Sequence, residues 1–291
     1  MNGVGLQSDY ELLKSCLTGH EVNLCDYLAH KPVKDCDIAF HLEIPRFPFL
    51  KQAKRNIFIP NAEWFYPYLN GVNWSQRLPE FTEVWAKTKD CERIFKPLHK
   101  NVKHSGFISK DLSMKYVPKQ MVLLHVAGQS KTKNTDVLCK AYKDNADLPK
   151  CYLISSGVWD CHHGLVPCER LQKEYFDLML NSCLIHVCPS SYEGWGHYIH
   201  EAFSVGAFVL TCDAPPMNEF VSDYLVPVFG KKRLRLADTA VINADDLAQK
   251  IRDVYELGES KLTELGKQNR IKYEKECNDF KQFLNQQTNE N

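Results

Sequence analysis

The chain has 291 residues, which is long for a single hydrophobic core and comfortable for two domains of ordinary size. Its 36 basic and 36 acidic residues give a formal net charge of zero, which argues against a nucleic-acid partner. No apolar run of about 18 residues is present, and the amino terminus lacks the basic start and apolar stretch of a signal peptide. We therefore expect a cytoplasmic protein without a transmembrane segment, while peripheral contact with a membrane stays open.

Twelve cysteines raise the question of disulfides or a metal site. Many of them lie within or beside apolar runs of a large chain, which favours reduced, packed thiols. Residues 161–163 (Cys-His-His), with Cys151 and Cys168 nearby, offer zinc-ligand types but lack the paired Cys-x-x-Cys spacing of zinc sites. The sequence therefore predicts no metal site.

The first half of the chain alternates short apolar runs with helical patterns, which is typical of a parallel sheet covered by helices. It opens on Gly3-Val4-Gly5. The predicted elements that follow are a helix over 6–19, strands over 21–24, 37–42, 56–60 and 83–86, and a helix over 89–97.

A polar, lysine-rich segment over 108–120 separates the two halves, so we predict domains over 1–115 and 116–291. The second half repeats the alternation, with strands over 121–127, 151–155, 184–188, 208–211 and 225–228, and helices over 135–143, 168–181 and 197–205. Three amphipathic stretches follow at 245–257, 260–274 and 277–286, and the last could pack back onto the first domain.

Two glycines and two glutamates mark residues 189–201, where a predicted strand gives way to a predicted helix. Gly194 and Gly196 let a ligand approach the backbone, and the N–H groups at a helix start favour anions such as phosphate. Glu193 stands near the strand end. Glu201 lies about one turn inside the helix, where its carboxylate could accept hydrogen bonds from ribose hydroxyls. The pattern predicts a nucleotide-binding site.

Neighbouring predicted strand ends supply further charges. Glu219 follows the strand over 208–211 on a proline-stiffened loop. The loop over 128–134 offers Lys131 and Lys133 as cations for a pyrophosphate, and the choice between them stays open. Its spacing does not match the phosphate loop of nucleoside triphosphatases, which disfavours triphosphate hydrolysis.

The spacing of residues in the second half resembles a known donor-site signature. Glu193 and Glu201, followed by Gly206 and Val209 and by residues 215–219, look like the signature of glycosyltransferase family 4, among the glycosyl transferases group 1.

Two glycine segments extend the resemblance. Gly128 and Lys133 are similar to the family's glycine-arginine turn and phosphate-binding lysine, although Gln129 stands where arginine is usual. Gly3 and Gly5 look like the family's N-terminal glycine loop, but the strand that normally precedes this loop is lacking.

The resemblance implies a GT-B fold, which is an α/β arrangement of two Rossmann-like domains facing across a cleft, with the N-terminal domain abbreviated. It implies a glycosyltransferase, either hexosyl- or pentosyltransferase, that moves a sugar from a nucleotide-diphosphate sugar to the hydroxyl of a glycan or small glycoside. Retention of anomeric configuration and the absence of a metal or other cofactor are also implied.

The resemblance further implies roles for individual residues. Glu193 would contact donor-sugar hydroxyls, Glu201 would bind ribose, and Lys133 would neutralise the leaving diphosphate. The residues expected to bind the nucleotide sugar are Gly3, Gly5, Gly128, Ser130, Lys131, Lys133, Glu193, Gly194, Trp195, Gly196, His197, Tyr198, Glu201 and Glu219.

Two side chains carry alternative interpretations. Trp195 could be a platform for a sugar or a lid packed against the core. His41 ends a predicted strand, where it could meet the acceptor and assist proton transfer as a catalytic residue, and Glu43 or Glu63 could do likewise.

Two other functions stay open. A nucleotide-sugar epimerase or hydrolase of the same fold would share Glu201 and the phosphate contacts. A catalytically silent carbohydrate-binding protein would fit the shortened first domain and Gln129.

Overall fold

A computed structural model describes residues 3–25, 35–128, 130–169 and 171–289. The chain divides into two compact units. Unit 1 comprises Met1–Ile108, Arg235–Ala237 and Glu276–Asn291, and unit 2 comprises Ser109–Leu234 and Asp238–Lys275. The division therefore falls before Ser109 rather than after residue 115, and the last helical residues group with unit 1.

The linker residues after Ile108 group with unit 2 because their polar groups bond there. The Asp111 carboxylate accepts hydrogen bonds from Arg270, at 2.7 Å to Nη1. The Leu112 N–H donates to Ser204 Oγ at 3.1 Å, and its carbonyl accepts from Asn181 Nδ2 at 2.8 Å. Such long-range partners are not visible in a composition shift, which is the only sequence signal for a boundary.

Unit 1 contains a four-stranded parallel sheet in the order β1-β2-β5-β6. Its elements in chain order are α1 (Gly3–Cys16), β1 (Cys36–Glu43), β2 (Ala53–Pro60), β3 (Tyr68–Leu69), β4 (Val72–Asn73), α2 (Trp74–Arg77), β5 (Glu83–Ala86), α3 (Lys89–Phe95) and β6 (Val102–His104). The strands predicted over 37–42, 56–60 and 83–86 are confirmed. Fully buried aromatic rings, including Phe58, Phe65 and Phe95, pack edge to face within this unit.

The amino-terminal predictions are wrong in two places. Gly3 and Gly5 lie in the first turn of α1, so the segment that resembles a glycine loop is helical. The predicted helix therefore starts earlier, and it ends at Cys16 rather than residue 19. Residues 21–25 form no strand, because two isolated apolar residues with Leu24 exposed do not give a strand a face to bury.

A buried carboxylate anchors the end of the sheet in unit 1. Glu83 on β5 accepts hydrogen bonds from Arg55 Nε and from Trp85 Nε1, the latter at 2.9 Å, and pairs with Lys103 Nζ at 2.8 Å. Burial opposes ionisation, but these hydrogen bonds outweigh it and lower the pKa of Glu83 to about 2. The carboxylate is therefore charged in the folded protein at neutral pH.

We expect Glu83→Gln to lower the free energy of unfolding by about 3 kcal/mol at neutral pH, because the pKa of Glu83 is lower in the folded than in the unfolded chain. This stabilisation is present above the unfolded pKa and is lost as pH falls towards the folded pKa. In urea titrations, the difference between wild type and variant should therefore shrink by about half between roughly pH 6 and pH 3. Glu80→Gln, which breaks the exposed pair with Arg77, should change stability little. A difference in the free energy of unfolding between wild type and Glu83→Gln that stays constant with pH would contradict this prediction.

Unit 2 contains a five-stranded parallel sheet in the order β11-β10-β7-β8-β9. The elements, numbered in chain order, are β7 (Gln120–Gly128), α4 (Thr135–Asp144), β8 (Cys151–Ser155), β9 (Leu165–Cys168), α5 (Lys173–Ser182), β10 (Cys183–Cys188), α6 (His197–Ser204), β11 (Phe208–Thr211), α7 (Met217–Phe220), β12 (Gly230–Leu234), β13 (Ala237–Val241), α8 (Ala244–Glu256) and α9 (Gly258–Asn289). The predicted α/β class is confirmed, since parallel strands alternate with helices in both units.

Three predictions for the second half differ from the structure. The helix predicted over 168–181 begins only at Lys173, because 165–168 forms the edge strand β9, where the missing N–H of Pro167 is tolerated. The strand predicted over 225–228 is reduced to one bridge between Cys212 and Val226, since Pro227 cannot continue a ladder. The two predicted helices over 260–274 and 277–286 are one helix, α9, as no glycine or proline separates them.

Backbone and side-chain hydrogen bonds hold the loops that follow β7 and β10 against each other. The Ser191 N–H donates to the Thr132 carbonyl at 2.7 Å, and Asn134 Nδ2 donates to the Pro189 carbonyl at 2.8 Å. Within the sheet, His125 lies fully buried on β7, with Nδ1 2.7 Å from the Val187 carbonyl. Burial lowers the pKa of His125 to about 4, so the ring is neutral. The carboxyl ends of these adjacent strands form a rigid edge.

Neither membrane nor metal features appear in the described ranges. Of the helices that they include, none combines the length and the apolar character needed to cross a membrane. Across the same ranges, no three His, Cys, Asp or Glu side chains are grouped as they would be around a metal ion.

Candidate functional site

The start of α6 is shaped by a glycine in the left-handed region. Gly196 precedes the helix with φ of 78°, and its carbonyl accepts from the N–H groups of Ile199 at 2.9 Å and His200 at 3.2 Å. A Cβ at this position would also lie 3.5 Å from Glu193 Cβ. That distance is an ordinary van der Waals contact, so it is the left-handed backbone of the turn that favours glycine here.

Glu193 lies in the loop between β10 and α6, as the sequence predicts. Its Oε1 accepts a hydrogen bond from Ser190 Oγ at 2.6 Å. Burial raises the pKa of the Glu193 carboxyl, while nearby Lys133, the Ser190 hydrogen bond and His197 lower it in part. The result is a carboxylate with restricted access to water, at the carboxyl edge of the sheet.

Glu201 lies on α6, one turn inside the helix. Burial raises its pKa, and the nearby side chains of His197, Lys133 and Lys110 oppose this. Within the ranges that the structure describes, its carboxylate makes no hydrogen bond or ion pair. A partly buried carboxylate of this kind can accept hydrogen bonds from the hydroxyls of a ligand.

Lys133 brings a positive charge to the same place. Its Nζ donates to the Val126 carbonyl at 3.2 Å and lies 3.8 Å from the centroid of the Tyr198 ring. Gly128 has φ of 58°, and a Cβ there would lie 3.9 Å from Lys133 Nζ. The charge of Lys133 lowers the pKa of both Glu193 and Glu201, against the effect of their burial.

The remaining residues of this loop are described only in part. The side chain of Lys131 and all of Gln129 lie outside the described residues. Ser130 Oγ lies 2.7 Å from Thr132 Oγ1 and accepts from the Thr132 N–H at 3.3 Å, so its hydroxyl caps the short turn that carries Lys133. Its local role is to shape this turn.

Trp195 is packed rather than exposed, which corresponds to the second of its two interpretations. Its side chain is 6% exposed and stacks on His200 with ring centroids 4.0 Å apart and planes 11° apart. Its Nε1 donates to Ser109 Oγ at 3.1 Å, and this oxygen also lies 3.0 Å from His197 Nδ1. The packing of the indole favours the second interpretation, and it fixes the loop from which Glu193 projects.

Glu219 follows β11, the neighbour of β10, as predicted. It lies on α7, and its N–H donates to the Pro216 carbonyl at 2.9 Å. The side chain is half-buried.

Three predicted site residues belong to unit 1. Gly3 and Gly5 are in α1, and His41 is an interior residue of β1, which continues to Glu43. His41 is 5% exposed, its Nε2 lies 3.0 Å from Asn56 Oδ1, and burial lowers its pKa while that hydrogen bond opposes the shift. The prediction that His41 ends a strand is wrong, because β1 continues for two residues beyond it. Its imidazole is buried and hydrogen-bonded, as is usual for a polar side chain in a protein interior.

Sequence reasoning missed two hydroxyl groups. Ser190 bonds to Glu193, and its position two residues after the end of a strand was the available signal. Ser109 joins Trp195 and His197 from more than 80 residues away, so no local pattern could have indicated it.

Comparison with known families locates the match in unit 2. Residues 168–272 match the family described as Glycosyl transferases group 1. This stretch includes Glu193, Glu201 and Glu219. None of the curated proteins matches the chain significantly.

Solved structures share the fold at low sequence identity. TarM from S. aureus aligns with a TM-score of 0.64 and 16% identity, covering 87% of this chain and 54% of TarM. HepE from Anabaena, solved in complex with UDP-glucose, aligns with a TM-score of 0.61 and 12% identity, covering 80% of this chain and 72% of HepE. A glycosyltransferase from Rickettsia africae aligns with a TM-score of 0.60 and 12% identity, covering 84% of this chain and 74% of that one.

These comparisons confirm the predicted GT-B type of α/β fold and the predicted resemblance to the group 1 family. At such low identities the structural similarity establishes the fold alone. The chain spans about half the length of the TarM structure.

Proposed function

We propose that this chain, with a GT-B fold and a group 1 glycosyltransferase segment over residues 168–272, transfers a sugar from a uridine-diphosphate sugar to an acceptor hydroxyl. The observation that carries the proposal is the convergence of Glu193, Glu201 and Lys133 at the carboxyl edge of one parallel sheet. Ligands of open α/β sheets bind at this edge. UDP is the proposed nucleotide because HepE, which shares the fold, was solved with UDP-glucose.

The chemistry of the three charged residues supports divided roles. Lys133 offsets the charge of the diphosphate, which grows when the bond to the sugar breaks. The helix start at His197 adds N–H groups that favour the same anion. Glu201 accepts ribose hydroxyls, and Glu193 accepts hydroxyls of the donor sugar, with transfer proceeding with retention of configuration.

The acceptor is proposed to be a hydroxyl of a glycan or small glycoside. One TarM structure, at a TM-score of 0.57, contains fondaparinux, α-GlcNAc-glycerol and UDP, so glycosides and the nucleotide occur together on the same fold. Incubation with UDP-glucose and UDP-GlcNAc, with and without glycan acceptors, followed by product analysis, tests this proposal. Free sugar alone would indicate a hydrolase, an altered nucleotide sugar would indicate an epimerase, and binding without any product would indicate a silent carbohydrate-binding protein.

We expect Glu201→Gln to weaken the binding of UDP about tenfold, because a charge-assisted hydrogen bond to ribose becomes a neutral one. Calorimetric titration of UDP against wild type and variant measures this. The matched control is Glu174→Gln, which changes an exposed carboxylate on α5. Equal UDP affinity in Glu201→Gln and wild type would contradict the ribose assignment.

We expect transfer to proceed without a metal ion, because Lys133 and the start of α6 supply the positive charge near the diphosphate. Initial rates should therefore be the same before and after dialysis against EDTA. Loss of transfer on EDTA treatment, restored by Mg²⁺ or Mn²⁺, would show that the expectation is wrong.

A further inference from the structure

One buried tyrosine is linked to two of the three charged residues that the proposed reaction needs, to Lys133 directly and to Glu193 through Ser190. We infer that Tyr198 is a positioning residue, whose hydroxyl orients Glu193 through Ser190 and whose ring face holds the ammonium group of Lys133. The inference rests on the proposed function and adds to it a role for Tyr198 that acts through Glu193 and Lys133.

The first contact is a directed chain of hydrogen bonds. Ser190 Oγ donates its single proton to Glu193 Oε1 at 2.6 Å. The Ser190 oxygen is also hydrogen-bonded to the Tyr198 hydroxyl. Because the serine proton is already committed to the carboxylate, Tyr198 must be the donor in the second bond. Two hydroxyl groups in series therefore point their protons towards Glu193, and such chains strengthen each member.

The protonation state of Tyr198 agrees with its role as the donor to Ser190. Tyr198 is 7% exposed, and burial raises its pKa well above the usual range. The hydroxyl therefore keeps its proton at any pH at which the protein is assayed.

The second contact uses a different part of the same side chain. Lys133 Nζ lies 3.8 Å from the centroid of the Tyr198 ring, within the range of a cation–π interaction. The same ammonium donates to the Val126 carbonyl at 3.2 Å. Lysine has a flexible side chain with many rotamers, so these two contacts reduce the entropy lost when a diphosphate binds.

The two contacts can be separated by substitution. Tyr198→Phe keeps the ring under Lys133 and removes the proton donor to Ser190. Tyr198→Leu removes both contacts. The affinity for UDP measures the contribution of Lys133, since UDP carries the diphosphate without the sugar. The turnover of a UDP-sugar depends on Glu193 as well.

We expect Tyr198→Phe to lower kcat for transfer about tenfold, with the dissociation constant of UDP changed less than about twofold. Tyr198→Leu should lower kcat at least as much and also weaken UDP binding about fivefold. Ser190→Ala should reproduce the kcat loss of Tyr198→Phe, and the double variant should be no slower than either single variant, because one chain of hydrogen bonds is cut in each case.

The matched control is Tyr142→Phe. Tyr142 is also fully buried, and its hydroxyl donates to the Pro149 carbonyl at 2.8 Å. This variant loses a buried tyrosine hydrogen bond of the same kind and should retain wild-type kcat. Thermal unfolding of each variant establishes that it is folded.

Three results would overturn the inference. In the first, the wild type is active and Tyr198→Phe has the same kcat as Tyr142→Phe. Another is additive effects of Ser190→Ala and Tyr198→Phe, which would mean that the hydroxyls act separately. A wild-type chain that neither binds UDP nor transfers sugar would overturn the proposed function and this inference together, so the two failures are distinguishable.

Discussion

Replacement of Glu193 by glutamine is expected to lower kcat for sugar transfer by about 10²–10³-fold while leaving the affinity for UDP unchanged. Breaking the bond between sugar and diphosphate leaves positive charge on the sugar, and a carboxylate in surroundings with little water stabilises that charge strongly. Glutamine keeps the shape and can still accept from Ser190 Oγ, so the change tests charge rather than packing.

The pH dependence gives this prediction a second measurement. Burial raises the pKa of Glu193, and the group acts as a carboxylate, so kcat should fall as pH decreases through that pKa. In Glu193→Gln the residual rate should lose this dependence. Glu174→Gln, an exposed change on α5, should behave as wild type in both rate and pH profile. A Glu193→Gln enzyme of near-normal kcat would remove this residue from the proposed mechanism.

Replacement of Lys133 by methionine is expected to weaken the binding of UDP about 100-fold, because the ammonium makes charge-assisted hydrogen bonds to the diphosphate. Methionine is close in length and apolar, so it can still pack on the Tyr198 ring. The loss of affinity should be specific for a ligand that carries the diphosphate, and the affinity for uridine should change little. Titration of UDP and uridine against the same samples measures both.

Lys140→Met is the control for this prediction, since Lys140 lies exposed on α4 and pairs with Asp144 at the surface. Its affinity for UDP should equal that of wild type. If Lys133→Met weakened the binding of uridine as much as that of UDP, the lysine would be shaping the site and would not be binding the diphosphate.

The donor side of the fold could be predicted because its signals are local. The apolar run ending at Cys188, the glycines at 194 and 196 and the helical pattern from His197 correspond to β10, the loop and α6. The φ of 78° at Gly196 explains why glycine is needed at this point of the sequence. By contrast, Gly3 and Gly5 matched a glycine pattern but are helical, which shows that two glycines without a preceding strand do not specify a loop.

Contacts between distant residues could not be predicted in this way. Gly266 on α9 is an example: a Cβ there would lie 2.3 Å from the Gly206 carbonyl oxygen, so the helix approaches the end of α6 closely. Nothing near residue 266 in the sequence indicates this neighbour. The packing of Trp195 on His200 and its bond to Ser109 have the same character, and they decided between two interpretations that sequence reasoning had left equal.

By itself, the sequence determined the alternation of strands and helices and the order in which Lys133, Glu193 and Glu201 follow their strands, because periodicity and turn chemistry act over a few residues. Only the tertiary structure decided that Lys133 rests on Tyr198, that Ser190 and Tyr198 direct their protons to Glu193, and that His41 is an interior side chain. These outcomes depend on which strands become neighbours in the sheet and on what each side chain meets when it is removed from water. Neither quantity is a property of a short stretch of chain.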